Sequence, residues 1–585
     1  MKLDLIPIIN QAVVCGALCA TLTSSAADPR TNSWFTAFSG KYARSFTNAA
    51  AQTAGNAATT WGNGSQTQAA PAYCGVQEVY SSANWVYFRT TGLAGQTMGA
   101  WAAGFPNLPA NQKVLYRIPR TNLITVPVTK SLTGLGAIGY FVDGVAMFDS
   151  RDGFVWTGSA ESGSGTGYWN RDAFVNEGAT FDPSYAHQEQ TGTYHYHANP
   201  IALRYLMGDH VNYNAAARTY AEATNGVAKH SPLLGWVRDG FPVYGPYGYF
   251  ISNNAASGVR RMISGYVLRN GQLGTDNLTN TLRTNLPAWA QRLYGLNSAG
   301  PADISTYPIG RYMEDKSFLA DLTNSATGQK FVQGVDFDLD ENNGRWCVTP
   351  EFPNGTYAYF VSMTSNGIPT FPYNIGRAFY GFPTGAVVSA VTETVVTNFL
   401  GGPNLTPWLD APKVNSGSVT LTWSAAEGGT YMVQSTTNFS AWTINSTNVA
   451  AVLNTASFTT NTLDNWRFYR VARTGLANYD GGSGASGGAT YPVPGGSVSR
   501  ASVTNITLSI TLSGPPSPPA GAPITSVTLG SLTATGAAIS YLTQGTVLAT
   551  FNLQSFSATG PQTVVVTFQN GPPPYTFNGG FTINP

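Results

Sequence analysis

Charge is scarce in this chain. Only 10% of its 585 residues are Asp, Glu, Lys or Arg, and 30 basic residues nearly cancel 29 acidic ones. No basic face is implied, so nucleic acid and an anionic membrane are not expected as partners. Cysteine is scarcer, with four residues: Cys15, Cys19, Cys74 and Cys347. Histidine numbers five. Long apolar runs are missing after the first 22 residues, so nothing later in the chain reads as a bilayer span. Familiar catalytic signatures are missing too. There is no serine elbow, no phosphate loop and no His-Glu-x-x-His helix. Paired catalytic carboxylates cannot be singled out among 29 acids.

What is abundant points to strands and an extracellular setting. Glycine reaches 64 residues and aromatics 12%, while Ser, Thr and Asn supply solubility in place of charge. Such a profile suits an exported, mainly β protein. The length allows three or four domains. Residues 1–27 read as a signal peptide: Lys2, an apolar stretch from Leu5 to Leu22, then small residues Ser25-Ala26-Ala27 before Asp28. The expected location is secreted, cell-surface or periplasmic, with no membrane span after cleavage. Cleavage would leave Cys74 and Cys347, and an oxidising compartment would permit one long-range disulfide between them.

All five histidines, His187, His195, His197, His210 and His230, fall within one window of the chain. The sharpest feature is Tyr194-His195-Tyr196-His197. On a strand, residues i and i+2 share a face, so both imidazoles point one way and both tyrosines the other. Two adjacent imidazoles are half of a metal site. His187, across the Thr191-Gly192 turn, and His230, in a Pro-containing segment, are the natural further ligands. His210 is a weaker candidate beyond a short helix. An imidazole set suits copper, zinc, nickel or iron, and copper is placed slightly ahead of zinc. Asp143 and Asp239 precede glycines in Asp-Gly pairs; each is either a turn residue or a partner orienting an imidazole. Asp336, Asp338 and Asp340, spaced i, i+2, i+4, could hold calcium if they share a strand face, the alternative being a solvated edge.

The same stretch resembles a known family. Tyr194-His195-Tyr196-His197, His230-Ser231-Pro232-Leu233-Leu234-Gly235-Trp236, Asp239-Gly240-Phe241-Pro242-Val243-Tyr244-Gly245-Pro246 and Leu339 to Glu351 look like the YHYH-domain family. The resemblance covers roughly residues 32–381. It implies a secreted bacterial domain and brings no established reaction, so the metal expectation rests on the histidines.

Along the chain, strands are expected at Val76–Phe88, Val114–Ile118 and Leu123–Val128. Gly139 to Phe148 and Gly235 to Tyr244 share a pattern of apolar runs around Asp-Gly, and Asn366-Gly367 is a shorter third. These read as recurring hairpins, from duplication or from convergence on good turn chemistry. Helices are expected after Asn199-Pro200, over Ala215–Ala223 and over Pro287–Tyr294 with a cap near Asn285. The domain reading is a β-rich unit over 28–400 with few short helices, then a fibronectin-type-III-like sandwich over 405–476 with Trp423, Trp442 and Tyr469 in its core. A Gly/Ser-rich linker over 477–496 leads to a second small β-sandwich over 497–585.

Three functional classes follow: a metal-binding protein for capture or surface redox chemistry, a metal-dependent extracellular enzyme, and an adhesive protein that binds cell-surface or extracellular glycan. The export reading has a direct check. Intact-mass measurement of the exported protein should give a chain beginning near Asp28; a chain still carrying Met1 would overturn it.

Overall fold

The computed structural model describes residues 28–584 apart from 64–65, 102–106, 121–125, 164–166, 416, 462–466, 481–489, 494–495, 500–504, 513–523, 536–538, 544–545, 554–557 and 569–573. The expected signal peptide therefore lies outside the described residues, as does most of the linker and the start of the expected 123–128 strand. Residues 126–128 are not in a strand.

Strands dominate and helices are short, as the composition implies. The central sheet has eight strands. In chain order these are β1 (Ala137–Phe141), β2 (Ala146–Phe148), β3 (Ala186–Gln188), β4 (Tyr194–Tyr196), β5 (Leu233–Val237), β6 (Pro242–Tyr244), β7 (Gly344–Cys347) and β8 (Thr356–Phe360). Their order across the sheet is β3-β4-β2-β1-β5-β6-β8-β7. The pairing reads the same from both edges: outer pairs antiparallel, then one parallel pair on each side, then two antiparallel hairpins meeting in the middle.

The repeat extends to single atoms. In the β1–β2 hairpin Phe141 N–H donates to Val145 O and Gly144 N–H to Phe141 O; in β5–β6 Val237 N–H donates to Phe241 O and Gly240 N–H to Val237 O. Glycine alone carries the left-handed residue of each turn (φ 82° at Gly144, 79° at Gly240). The aspartates Asp143 and Asp239 accept from Val145 N and Phe241 N, 3.1 and 3.2 Å. Further out, Tyr194 and Tyr357 donate to Asp182 and Asp340. Each of these aspartates also caps the backbone just before its edge strand. Tyr185 and Asn343, three residues on from each, have φ of 68° and 67°. By register, His187, His195 and His197 correspond to Arg345, Ala358 and Phe360. The third Asn-Gly turn is separate, held by a lone Met363–Pro369 bridge.

A five-stranded sheet covers one side. It runs Ala386–Val387, Val114–Pro119, Trp85–Thr90, Val76–Ser81, Val396–Leu400. Its inward residues Val86, Phe88, Tyr116 and Ile118 share one core with Tyr140, Phe141, Trp236 and Tyr359. The expected Val76–Phe88 strand is thus a hairpin of two. Two modules of paired sheets follow. Residues 413–476 bury Val419, Leu421 and Trp423 from an alternating strand against Tyr431 and Val433. Trp442, expected inside, instead lies half-buried against the Arg470 guanidinium (4.2 Å). Residues 490–584 close around Leu508, Val527, Val564 and Phe581.

Helix expectations fare unevenly. Ala288–Tyr294 forms, entered from Pro287 rather than a cap at Asn285. Ile201–Leu206 forms, but Asn199 gives its side chain to Arg204 rather than capping. Ala215–Ala223 is not a helix. Asn214 Oδ1 accepts from Ala216 N and Ala217 N, tightening a turn between strands Val211–Asn214 and Thr219–Glu222. Local turn chemistry overrides the alanine propensity.

The hairpins meet where Gly139 faces Val237 and Gly235 faces Phe141. A Cβ on Gly235 would stand 2.7 Å from Tyr140 O, and one on Gly139 2.5 Å from Trp236 O. Gly235→Ala should lower stability by about 1–3 kcal/mol through forced separation of these strands, read as a fall in thermal midpoint. An unchanged midpoint would show that the junction is looser than described.

Candidate metal centre

Alternation along β4 decides the site. Tyr194 and Tyr196 point into the core, fully buried, their hydroxyls paired with Asp182 (2.8 Å) and Gln96 (2.7 Å). His195 and His197 point to the other face. Antiparallel pairing of β3 with β4 sets His187 directly opposite His195. The turn between them is held by Gly192 (φ 78°) and by Glu189, which accepts from Thr191 N and Thr193 N. Ligand nitrogens of the three buried histidines lie within 4.8 Å of one another.

Each ring is held by its Nδ1. His195 Nδ1 sits 2.8 Å from Thr193 O, and His197 Nδ1 2.6 Å from Asp149 O. Carbonyls only accept, so both Nδ1 atoms carry the proton. His187 Nδ1 is 2.8 Å from Thr180 Oγ1, whose own proton goes to Glu177 O. That hydroxyl therefore accepts from His187 as well. All three Nε2 lone pairs are left facing inward, the tautomer a metal requires. His195 Nε2 and His197 Nε2 are only 3.1 Å apart. Two lone pairs that close repel unless a cation stands between them. Two nitrogens on one tetrahedral ion, each about 2.0–2.1 Å from it, are about 3.3 Å apart.

A fourth donor was invisible in the sequence. Helix α1 (Ala173–Glu177) starts at Asp172, whose side chain caps Val175 N, and ends with Glu177 over the histidines. Its Oε2 lies 3.3 Å from His197 Nε2 and 3.7 Å from His187 Nε2, with no hydrogen-bond donor of its own. A short 3-10 turn, Gly178–Thr180, then delivers Thr180 to His187 and Phe181 to the wall. No spacing rule distinguishes Glu177 from the other acids. Only the backward fold of residues 172–181 brings it here.

The surroundings are apolar. Phe148 stacks on His195 at 3.8 Å, and Phe181 meets the His187 ring edge-on at 4.8 Å. Burial pushes His187 down to about 3, with His197 adding to it. His195 and His197 are lowered for the same first reason. Burial pushes the Glu177 carboxyl up to about 7. Neutral imidazoles and a carboxylate short of donors are what a divalent cation would relieve.

The other expected residues stand elsewhere. His230 is buried in the second half of the sheet, its Nδ1 2.7 Å from Ser231 O and its ring against Tyr244 and Tyr249; it does not join the group, because β5 starts just after it and carries it away from β4. His210 lies edge-on to Tyr247. Asp143 and Asp239 serve their turns, and Asp239 also accepts from Tyr359 and Gly381 N; neither orients an imidazole. Asp336, Asp338 and Asp340 do not share a strand face. Asp336 accepts from Val332 N, Asp338 is forked by Arg260, and Asp340 serves Tyr357 and two backbone amides. Serving separate partners, they form no calcium cage, and the histidines are the one metal-competent group among the described residues. Cys74 and Cys347 are free thiols, each buried, so the expected disulfide is not formed. Cys74 precedes the strand Val76–Ser81 of the covering sheet, whereas Cys347 ends edge strand β7.

Residues 115–372 match the protein family described as YHYH protein. This stretch is a YHYH domain. The tetrapeptide 194–197 of the YHYH domain supplies strand β4 and, just past its end, His197. No curated protein matches the chain, and no solved structure does. No helix among the described residues is long and apolar enough to cross a membrane.

Asp143 gives a pH test away from the centre. Its Oδ2 is buried without a partner, and burial pushes the carboxyl up to about 7 from 3.8. The folded chain keeps a proton that the unfolded chain has released, so stability falls as pH rises from about 4 to 7. Asp143→Asn keeps the Val145 bond and removes the charge. It should flatten that slope and raise stability above pH 8 by about 1–3 kcal/mol, measured by denaturant melts at several pH values.

Proposed function

We propose that the YHYH domain binds a first-row transition ion through His187, His195 and His197, with Glu177 as fourth donor. The observation that carries this reading is the 3.1 Å approach of two Nε2 atoms whose Nδ1 protons are already committed. Three imidazoles and a carboxylate suit copper and zinc; copper keeps the slight preference suited to an exported chain, with zinc next. The ion would supply either redox or Lewis-acid chemistry, while this chain's residues hold the imidazole tautomers and exclude water on the Phe148 and Phe181 sides.

The reading favoured is metal capture by an exported or surface-held protein, with the β-rich unit over 28–400 as the binding part. The paired-sheet modules over 405–476, which we take as fibronectin-type-III-like, and 497–585 would be spacers or display units. A metal-dependent enzyme is the second reading. Glu177 is the most exposed of the four donors, its side chain 30% accessible against 5–8% for His187 and His197. It is therefore the position at which water or a substrate would enter.

Elemental analysis tests the proposal. Protein loaded with copper or zinc and desalted should hold about one ion per chain. His195→Ala and His197→Ala should each lower occupancy at least tenfold, His187→Ala and Glu177→Gln less. Tyr194→Phe and His230→Ala should keep the ion. A wild-type chain that retains neither metal would sink the reading.

A further inference from the structure

The repeat in the central sheet gives the YHYH domain two equivalent poles, and only one carries imidazoles. At the second pole Arg345 stands where His187 stands at the first, one residue from each edge strand's start. The equivalence reaches the supporting residue. Thr180, seven residues before His187, contacts its Nδ1; Asp338, seven residues before Arg345, lies 3.6 Å from its guanidinium. Glu177 maps three residues before Asp338, beside Gln333 and Gly334. At this place the surface opens into a cleft of about 460 Å³ lined by Phe250, Ile251, Gln333, Asp338, Arg345 and Trp346.

We propose that this cleft is a second ligand site and that it takes a neutral saccharide. The chemistry of the lining excludes the other classes. A metal ion is excluded because Asp338 is forked by Arg260 at 2.6 and 2.7 Å, and Asp340 is engaged by Tyr357 and two backbone amides. An anion is disfavoured because Asp338 and Asp340 offset Arg260 and Arg345. A wholly apolar ligand would strand those polar groups. Hydroxyls both donate and accept, and so match the exposed Gln333 amide and Asp340, whose bonds to Tyr357 and the two backbone amides all use Oδ1. The rim is apolar where a sugar presents its C–H faces: Phe250, Ile251 and Trp346 are 54%, 48% and 52% exposed. Trp346 is steadied by its Nε1–H donating to Tyr380 at 2.6 Å. The volume lies within the usual range for small-ligand sites, about 300–1,000 Å³.

Isothermal titration of the full-length protein with glucose, galactose, mannose, N-acetylglucosamine and their β-1,4-linked tetramers tests this. At least one probe should give saturable binding, weakened tenfold or more by Trp346→Ala and by Gln333→Ala. Gln333 is exposed, so its variant keeps the fold even if the tryptophan change does not. Binding should persist in His195→Ala, which separates this site from the metal centre. Absence of saturable binding by every probe overturns the proposal. So does binding that both substitutions leave unchanged, or tighter binding of glucuronate than of glucose.

Discussion

The YHYH domain depends on the close approach of two Asp-Gly hairpins. Where Gly139 and Gly235 face the opposite strand, backbone atoms occupy the space a side chain would need. That contact joins two half-sheets into one eight-stranded sheet and buries Tyr140 and Trp236 at its centre. Parallel pairing of β4 on β2 and of β8 on β6 then fixes which residues of the outer strands face the core. A one-residue slip of β4 would exchange the tyrosines and histidines between faces. The two tyrosine–aspartate bonds, Tyr194 to Asp182 and Tyr357 to Asp340, resist that slip by placing a buried tyrosine on a buried carboxylate in the first half and on a part-buried one in the second. Leaving either partner unsatisfied would cost about 1–3 kcal/mol.

The centre is held against its own electrostatics. Three imidazoles are desolvated together, two nitrogens are in near contact, and a carboxylate faces them without a donor. None of this stabilises the fold by itself. The scaffold therefore has to enforce it, through the β3–β4 register, the Nδ1 bonds to Thr193 O, Asp149 O and Thr180, and the Phe148 stack. A preformed group of this kind loses little entropy on taking up a cation, and the repulsions that the fold sustains become attractions to the ion.

How much of this was legible depended on the range of the interaction. Same-face geometry of His195 and His197, the packing role of the tyrosines and the return of His187 across Thr191-Gly192 are all local consequences of strand alternation and a short turn. The recurring Asp-Gly pattern was legible as well, but its meaning was not, because only the sheet order shows that the hairpins are neighbours. Glu177, Thr180 and Asp149 reach the site through chain reversals that leave no periodic trace. His230 misled because proximity in sequence to a histidine window says nothing of which half-sheet a strand joins. The carboxylates at 336, 338 and 340 misled for a related reason: a turn at residues 334–336 removes the strand face they were expected to share.

The two poles show how one backbone can support different chemistry. Register, turn geometry and the capping aspartates are common to both, so the backbone does not select for metal. Ala358 and Phe360 stand where His195 and His197 do, so β8 carries no imidazole, and neighbouring segments pack over it. His230 packs against Tyr244 and Phe360, and a Cβ added at Gly248 would press on Phe360 and Arg345. Residues 230–231 and 247–249 thus fill the volume that a second set of imidazoles would occupy. Filling that volume moves the open surface outward to the β7 edge, where Arg345 and Trp346 lie on opposite faces of an edge strand and both border the cleft. The absence of imidazoles from the second pole and the accessible polar cleft there therefore go together. The segments packed over Phe360 and Arg345 leave the edge strand as the accessible part of that pole.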